Sequence, residues 1–131
     1  MQGNQTSAPR GKAGEDAACE YLKKQDCIII ARNYRIKGGE TDIIAEKGDE
    51  IIFCEDKTRK FGALDGGQGA MTKAKMKRII KTAECFIREN PRYEGYFRRF
   101  DTAYVTVTSE KIPRVLDIEY YEGDFTALDI E

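Results

Sequence analysis

Gly48-Asp49 is the point in this chain that leaves the backbone least choice. Two β-rich runs, residues 41–46 and 50–59, flank Lys47-Gly48-Asp49, and glycine accepts the positive φ that a two-residue hairpin turn requires. Such a turn sets the register of both strands. Lys47 then faces Glu50, Ile44 faces Phe53, Asp42 faces Glu55 and Glu40 faces Lys57. Because side chains alternate along a strand, all of these lie on one face of the sheet.

That register sets two carboxylates side by side. Directly opposed cross-strand residues have Cβ atoms roughly 4.5–5.5 Å apart, and like charges there repel. The same face turns apolar one pair further along, at Ile44 and Phe53. A divalent cation resolves the conflict, since Mg²⁺ takes one or two carboxylates and completes its shell with water and substrate phosphate. Solvated strand ends forming surface ion pairs are the plain alternative, and they would account for Glu40 and Lys57 by themselves. The whole set favours a site.

The elements around the hairpin follow from apolar spacing. Pro9 suits a helix's first turn, with Ser7 as its cap, and Ala17, Ala18, Tyr21 and Leu22 recur at helical intervals over about residues 9–25. Gly11 and Gly14 weaken its start. Glu15 shares the face of Ala18, Cys19 and Leu22, so a helix packed on the hairpin would bring Glu15 to the same pocket. Residues 27–37 read as a strand closed by Gly38-Gly39, and residues 61–71, rich in glycine, as a loop. Residues 72–90 carry an apolar stripe of Met76, Ile79, Ile80, Ala83, Phe86 and Ile87 before Pro91, which defines a second helix. Residues 99–108 alternate as a fourth strand, and 115–121 form a fifth, suited to an edge. The order α-β-β-β-α-β-β specifies one α/β domain with a mixed sheet over residues 1–131, with a disordered lead-in at about 1–8 and an acidic segment at about 109–131.

Composition narrows the chemistry. The chain has no histidine, which removes the commonest general base and every Ser-His or Cys-His nucleophile. Its four cysteines are scattered without a CxxC pair, so they read as reduced thiols of a cytoplasmic protein rather than as zinc ligands. No apolar run approaches the length of a membrane span. Between Lys57 and Arg99 twelve Lys/Arg stand against four Asp/Glu, a net +8, whereas residues 109–131 hold two against seven, a net −5. A basic segment beside clustered carboxylates is the electrostatic footprint of a polyanion-binding protein. Arg59, Lys60, Lys73, Lys75 and Lys77 are the candidates for phosphate contacts, with a solvated helix face as the simpler account of the last three. Arg99 and Asp101 project together, as a structural ion pair.

Gly39-Glu40-Thr41-Asp42 followed by Glu55-Asp56-Lys57 resembles the PD-(D/E)xK nuclease signature. More closely, the chain resembles the YraN-like family of predicted endonucleases, related to archaeal Holliday-junction resolvases. Gly11-x-x-Gly14-Glu15-x-x-Ala18-x-x-Tyr21-Leu22, Arg32-Asn33-Tyr34-Arg35, Phe61-Gly62, Lys75 and Arg99-Phe100-Asp101 follow in the family's order over about residues 8–108. The resemblance implies a restriction-endonuclease-like fold, a mixed β-sheet flanked by helices. It implies catalysis by Glu15, Asp42, Glu55 and Lys57, with Mg²⁺ or Mn²⁺ on Asp42 and Glu55 and with Glu15 and Glu40 as further ligands. It also implies DNA as substrate, branched or structured DNA included, and a homodimer by analogy. A non-catalytic nucleic-acid-binding module of the same fold and a protein-interaction domain are the competing expectations. Cys54 and Asp56 depart from the family's apolar pattern. Asp56 points to the opposite face, where a wet surface, Thr41 or a partner chain would have to satisfy it.

Overall fold

The computed structural model describes residues 9–63 and 71–131. The expected lead-in, the Ser7 cap and the centre of the glycine-rich loop lie outside the described residues. Within them the expected order of elements is present: α1 (Pro9–Lys24), β1 (Ile28–Ile36), β2 (Gly39–Lys47), β3 (Glu50–Lys60), α2 (Lys73–Glu89), β4 (Phe97–Val107) and β5 (Val115–Phe125). Gly48 has φ 61, the left-handed value that a two-residue hairpin needs at its first central position. Thr72 caps α2 by accepting the Lys75 N–H at 3.2 Å, and the Asn90 side chain closes it on the Phe86 carbonyl at 2.9 Å.

The five strands form one sheet in the order β1-β2-β3-β4-β5. β3 and β4 are parallel and joined through α2, while the other neighbours are antiparallel. Alternation divides the core between the two faces. Ile43, Ile52, Cys54 and Val105 meet Ala18 and Leu22 of α1 on one side. Ile44, Phe53 and Phe100 meet Ile79, Phe86 and Ile87 of α2 on the other. The result is a mixed α/β sheet between two helices. β5 lies at an edge, as expected, but runs four residues beyond Tyr121, to Phe125, whose ring stacks on Phe100 at 5.1 Å. Among the described residues no helix is long and apolar enough to cross a membrane. All four cysteines are free; Cys19, Cys27 and Cys54 are buried, whereas Cys85 is partly exposed and does not belong to the core.

Gly14 is more than a weak helix residue. A Cβ there would overlap the Thr58 hydroxyl and stand 2.8 Å from Thr58 Cβ, so α1 and β3 touch only because the side chain is missing. Gly11 faces open space. Urea titration should therefore separate the two glycines. Gly14→Ala is expected to lose about 1–3 kcal/mol through forced displacement of the helix, and Gly11→Ala to gain roughly 0.5–1 kcal/mol from helix propensity.

Candidate active site

The hairpin keeps the register its turn dictates as far as Ile43 opposite Cys54, and there the ladder ends. Beyond it β2 stays with β1 down to Gly39, while β3 stays with β4 up to Lys60. The two central strands part between these partners. Asp42 and Glu55, and Glu40 and Lys57, are consequently not the ladder pairs that the hairpin register predicts. At the parting, Asp42 Oδ2 accepts the backbone N–H of Asp56 at 2.7 Å, so a side chain supplies the acceptor that a main-chain carbonyl supplies elsewhere.

Asp42 and Glu55 nevertheless remain electrostatic neighbours. Burial pushes Asp42 up to about 7; the Asp56 N–H pulls it down, and the charges of Asp56, Glu40 and Glu15 add to the rise. Burial, and then the charge of Asp42, pushes Glu55 up to about 8, opposed by Lys57. The two titrate together, so their mutual repulsion belongs to both. Glu55 Oε2 is fully enclosed and has no hydrogen-bond partner. A buried acceptor left this way costs about 1–3 kcal/mol, which a proton or a cation would relieve. Asp42 and Glu55 thus fit a hard divalent cation. Among the described residues no three His, Cys, Asp or Glu side chains converge on one point. Such an ion would have to take its remaining ligands from water and substrate oxygens, a pattern usual for Mg²⁺.

Glu15 does not join them in the way the helix spacing suggests. α1 packs on the sheet face opposite α2, and Glu15 Oε1 accepts from Arg32 Nη2 at 2.7 Å and from Asn33 Nδ2 at 3.4 Å. Arg32 also holds Asp16 at 2.7 Å. Glu15 is close enough to raise the pKa of Asp42 and Asp56, yet its carboxylate is held by the nearer cation. Asn33 reaches it from a left-handed backbone, φ 54, which asparagine tolerates better than most residues. Asp56 finds its partner in Thr58, whose hydroxyl donates at 2.6 Å. Burial still pushes Asp56 up to about 6. Thr41 is not that partner: its hydroxyl is buried and unpaired.

On the α2 side a cavity of about 420 Å³ opens beside Glu55, walled by Arg35, Glu40, Lys57, Lys75 and Arg78. Gly39 forms part of its wall, and a Cβ there would overlap the Thr82 hydroxyl and come within 3.2 Å of the Arg78 carbonyl. Glu40 pairs with Arg35 at 3.0 Å rather than with Lys57. Asp42 and Glu15 do not line this cavity. Of the expected phosphate contacts, Lys75 lines it; Arg59, Lys60, Lys73 and Lys77 are exposed elsewhere. Arg35 and Arg78 belong to the wall although sequence reasoning gave them no role there. Arg35 could have been found from its position opposite Glu40 in the β1–β2 ladder. Arg99 and Asp101 form the expected ion pair, at 2.9 Å, and Asp101 is completed by Tyr120 at 2.6 Å and the Gly123 N–H at 2.9 Å.

Fold and site together define a mixed five-stranded α/β protein with a buried carboxylate pair, of which one member, Glu55, lines a cationic cavity. The profile of the Uncharacterised protein family UPF0102 matches residues 14–105, and the chain belongs to that family, which bears out the YraN-like resemblance of its motifs. A UPF0102 protein of Dictyoglomus thermophilum is 42% identical over 118 residues, covering 88% of this chain and 95% of that protein. One of Fusobacterium nucleatum is 44% identical over 91 residues, covering 70% and 76% respectively. One of Caldicellulosiruptor saccharolyticus is 37% identical over 117 residues, covering 88% and 95%.

The carboxylate pair makes stability depend on pH in a definite direction. Both folded-state pKa values lie above the ordinary 3.8 and 4.5, so the folded chain binds more protons between about pH 4 and 8. Their contribution is present at the acid end of that window and lost as pH rises through the folded values. Melting in EDTA should show Tm falling from pH 5 to pH 8 more steeply in the parent than in Glu55→Gln. Added Mn²⁺ should raise Tm at pH 8 more than at pH 5, and have little effect on Glu55→Gln.

Proposed function

We propose that this chain is a divalent-metal-dependent endonuclease that hydrolyses phosphodiester bonds in DNA, branched or otherwise structured DNA included, and that its sheet is of the restriction-endonuclease-like kind. The observation that carries this is Glu55, a carboxylate with an enclosed, unpartnered oxygen beside Asp42 and Lys57, opening onto a cavity rich in cations. A chain without histidine needs another way to activate water. Mg²⁺ or Mn²⁺ held by Asp42 and Glu55 would supply it, polarising a phosphoryl oxygen and lowering the pKa of water.

Lys57 follows Glu55 by two residues, so both project to the same side of β3. Its ammonium orients the attacking water and offsets negative charge growing on the phosphoryl oxygens. Glu40, in the same cavity and paired with Arg35, would be a further ligand for that ion. Glu15, held by Arg32 and Asn33, acts from behind Asp42 by biasing its charge. Arg59, Lys60, Lys73 and Lys77 contact backbone phosphates outside the cavity, where contacts position the substrate without reading sequence.

Incubating the protein with plasmid, four-way-junction and flap DNA in Mg²⁺ or Mn²⁺ tests this directly. Products should carry 5′-phosphate and 3′-hydroxyl ends. Asp42→Ala and Glu55→Ala should abolish cleavage, and Lys57→Ala should slow it on the order of 10²-fold. No cleavage above the Asp42→Ala background on any of these substrates would end the proposal. DNA binding unchanged in Glu55→Ala would then favour the non-catalytic module, in line with the absence of a third converging ligand among the described residues.

A further inference from the structure

We propose that the outer edge of β5, over residues 117–121, is a docking site for a basic, extended segment of another protein, which joins the sheet as an added strand. β5 pairs with β4, and among the described residues no strand lies beyond it. Its pairing is irregular at both ends, next to Leu116 and around Gly123, which has φ 58. Between these irregularities run five consecutive pairs, from Asp117 with Thr106 to Tyr121 with Thr102. That is the length of an ordinary strand, and its outward N–H and C=O groups are a template for another chain. The stretch is also held in place. Tyr120 stacks on Tyr21 of α1 at 4.4 Å and donates to Asp101 at 2.6 Å, while Tyr121, on the other face, meets Tyr104 edge-on at 5.5 Å. A strand fixed in this way loses little freedom when a partner joins it.

The side chains specify the partner. Asp117 and Glu119 share the face turned away from α1, both are exposed, and neither forms an ion pair among the described residues. The strand holds no Lys or Arg, and its other two acids are engaged: Glu122 lies 3.8 Å from Arg99, and Asp124 accepts the Thr102 hydroxyl at 2.8 Å. A Lys or Arg directly across from Asp117, and another across from Glu119, supplies the missing cations. On the α1 face Ile118 and Tyr120 pack against the core but are only half-buried, so an apolar residue between the cations extends that layer. The fitting segment therefore alternates basic and apolar residues in extended form, and is recognised by strand addition. Nothing in this depends on whether DNA is cut.

The test titrates the full chain into a fluorescent peptide of alternating lysine and valine, followed by anisotropy. Asp117→Asn with Glu119→Gln should weaken binding tenfold or more. Glu20→Gln with Asp26→Asn, the same loss of charge on α1 and just beyond it, should leave it unchanged. Two further peptides carry N-methyl groups, one on every lysine nitrogen and one on every valine nitrogen, which removes the backbone donors along one edge at constant charge. At least one of them should lose binding to the parent chain. In the parent labelled with nitrogen-15, the unmethylated peptide should slow amide exchange within residues 117–121. Equal binding of both methylated peptides would reduce the attraction to charge alone and overturn the proposal, as would unaltered exchange in that stretch. Full affinity in a double variant that melts like the parent would do the same. Sedimentation of the parent as a dimer that the peptide dissociates would give the edge to a second copy, and so overturn the assignment of a basic partner.

Discussion

One side-chain hydrogen bond governs the architecture of the site. Where β2 and β3 stop pairing, Asp42 takes the Asp56 N–H that would otherwise go unanswered. A strand can leave its neighbour in the middle of a sheet only if the freed backbone groups find partners, because buried donors left alone are costly. Asp42 does this with Oδ2 while its charge still raises the pKa of Glu55. The parting of the strands and the juxtaposition of the carboxylates are therefore one event, not two.

From this parting the chemistry follows in sequence. The gap between strands is what lets Glu55 and Lys57 border a cavity instead of a packed core. Burial pushes both acids toward their neutral forms, and a cation beside them would favour the charged ones. The cations of β1, β3 and α2 then face the acids across a small space. The same small space thus holds Glu55, whose charge burial opposes, beside several cations.

Much of this was legible in the residues, because turn chemistry and alternation act locally. Gly48 determined the hairpin register up to Ile43 and Cys54, and the stripe from Ile79 to Ile87 determined the buried face of α2. The break in the ladder was not legible, since it depends on which neighbour each strand prefers, a competition between β1 and β4 that no window of sequence contains. The same holds for Glu15. Helical spacing puts it on the buried side, but only the three-dimensional arrangement shows that Arg32 reaches it first. Gly14 read as a helix weakness because the contact that requires it, Thr58, lies over forty residues away.

The exposed edge strand β5 has a consequence for self-association. Its solvent side carries Asp117, Glu119, Glu122 and Asp124, with Lys and Arg absent from the strand. Two copies meeting there in the manner of a continuous sheet would bring rows of like charge into register, so the strand protects itself against polymerising growth. Edge-to-edge pairing of two copies at this margin is thereby disfavoured.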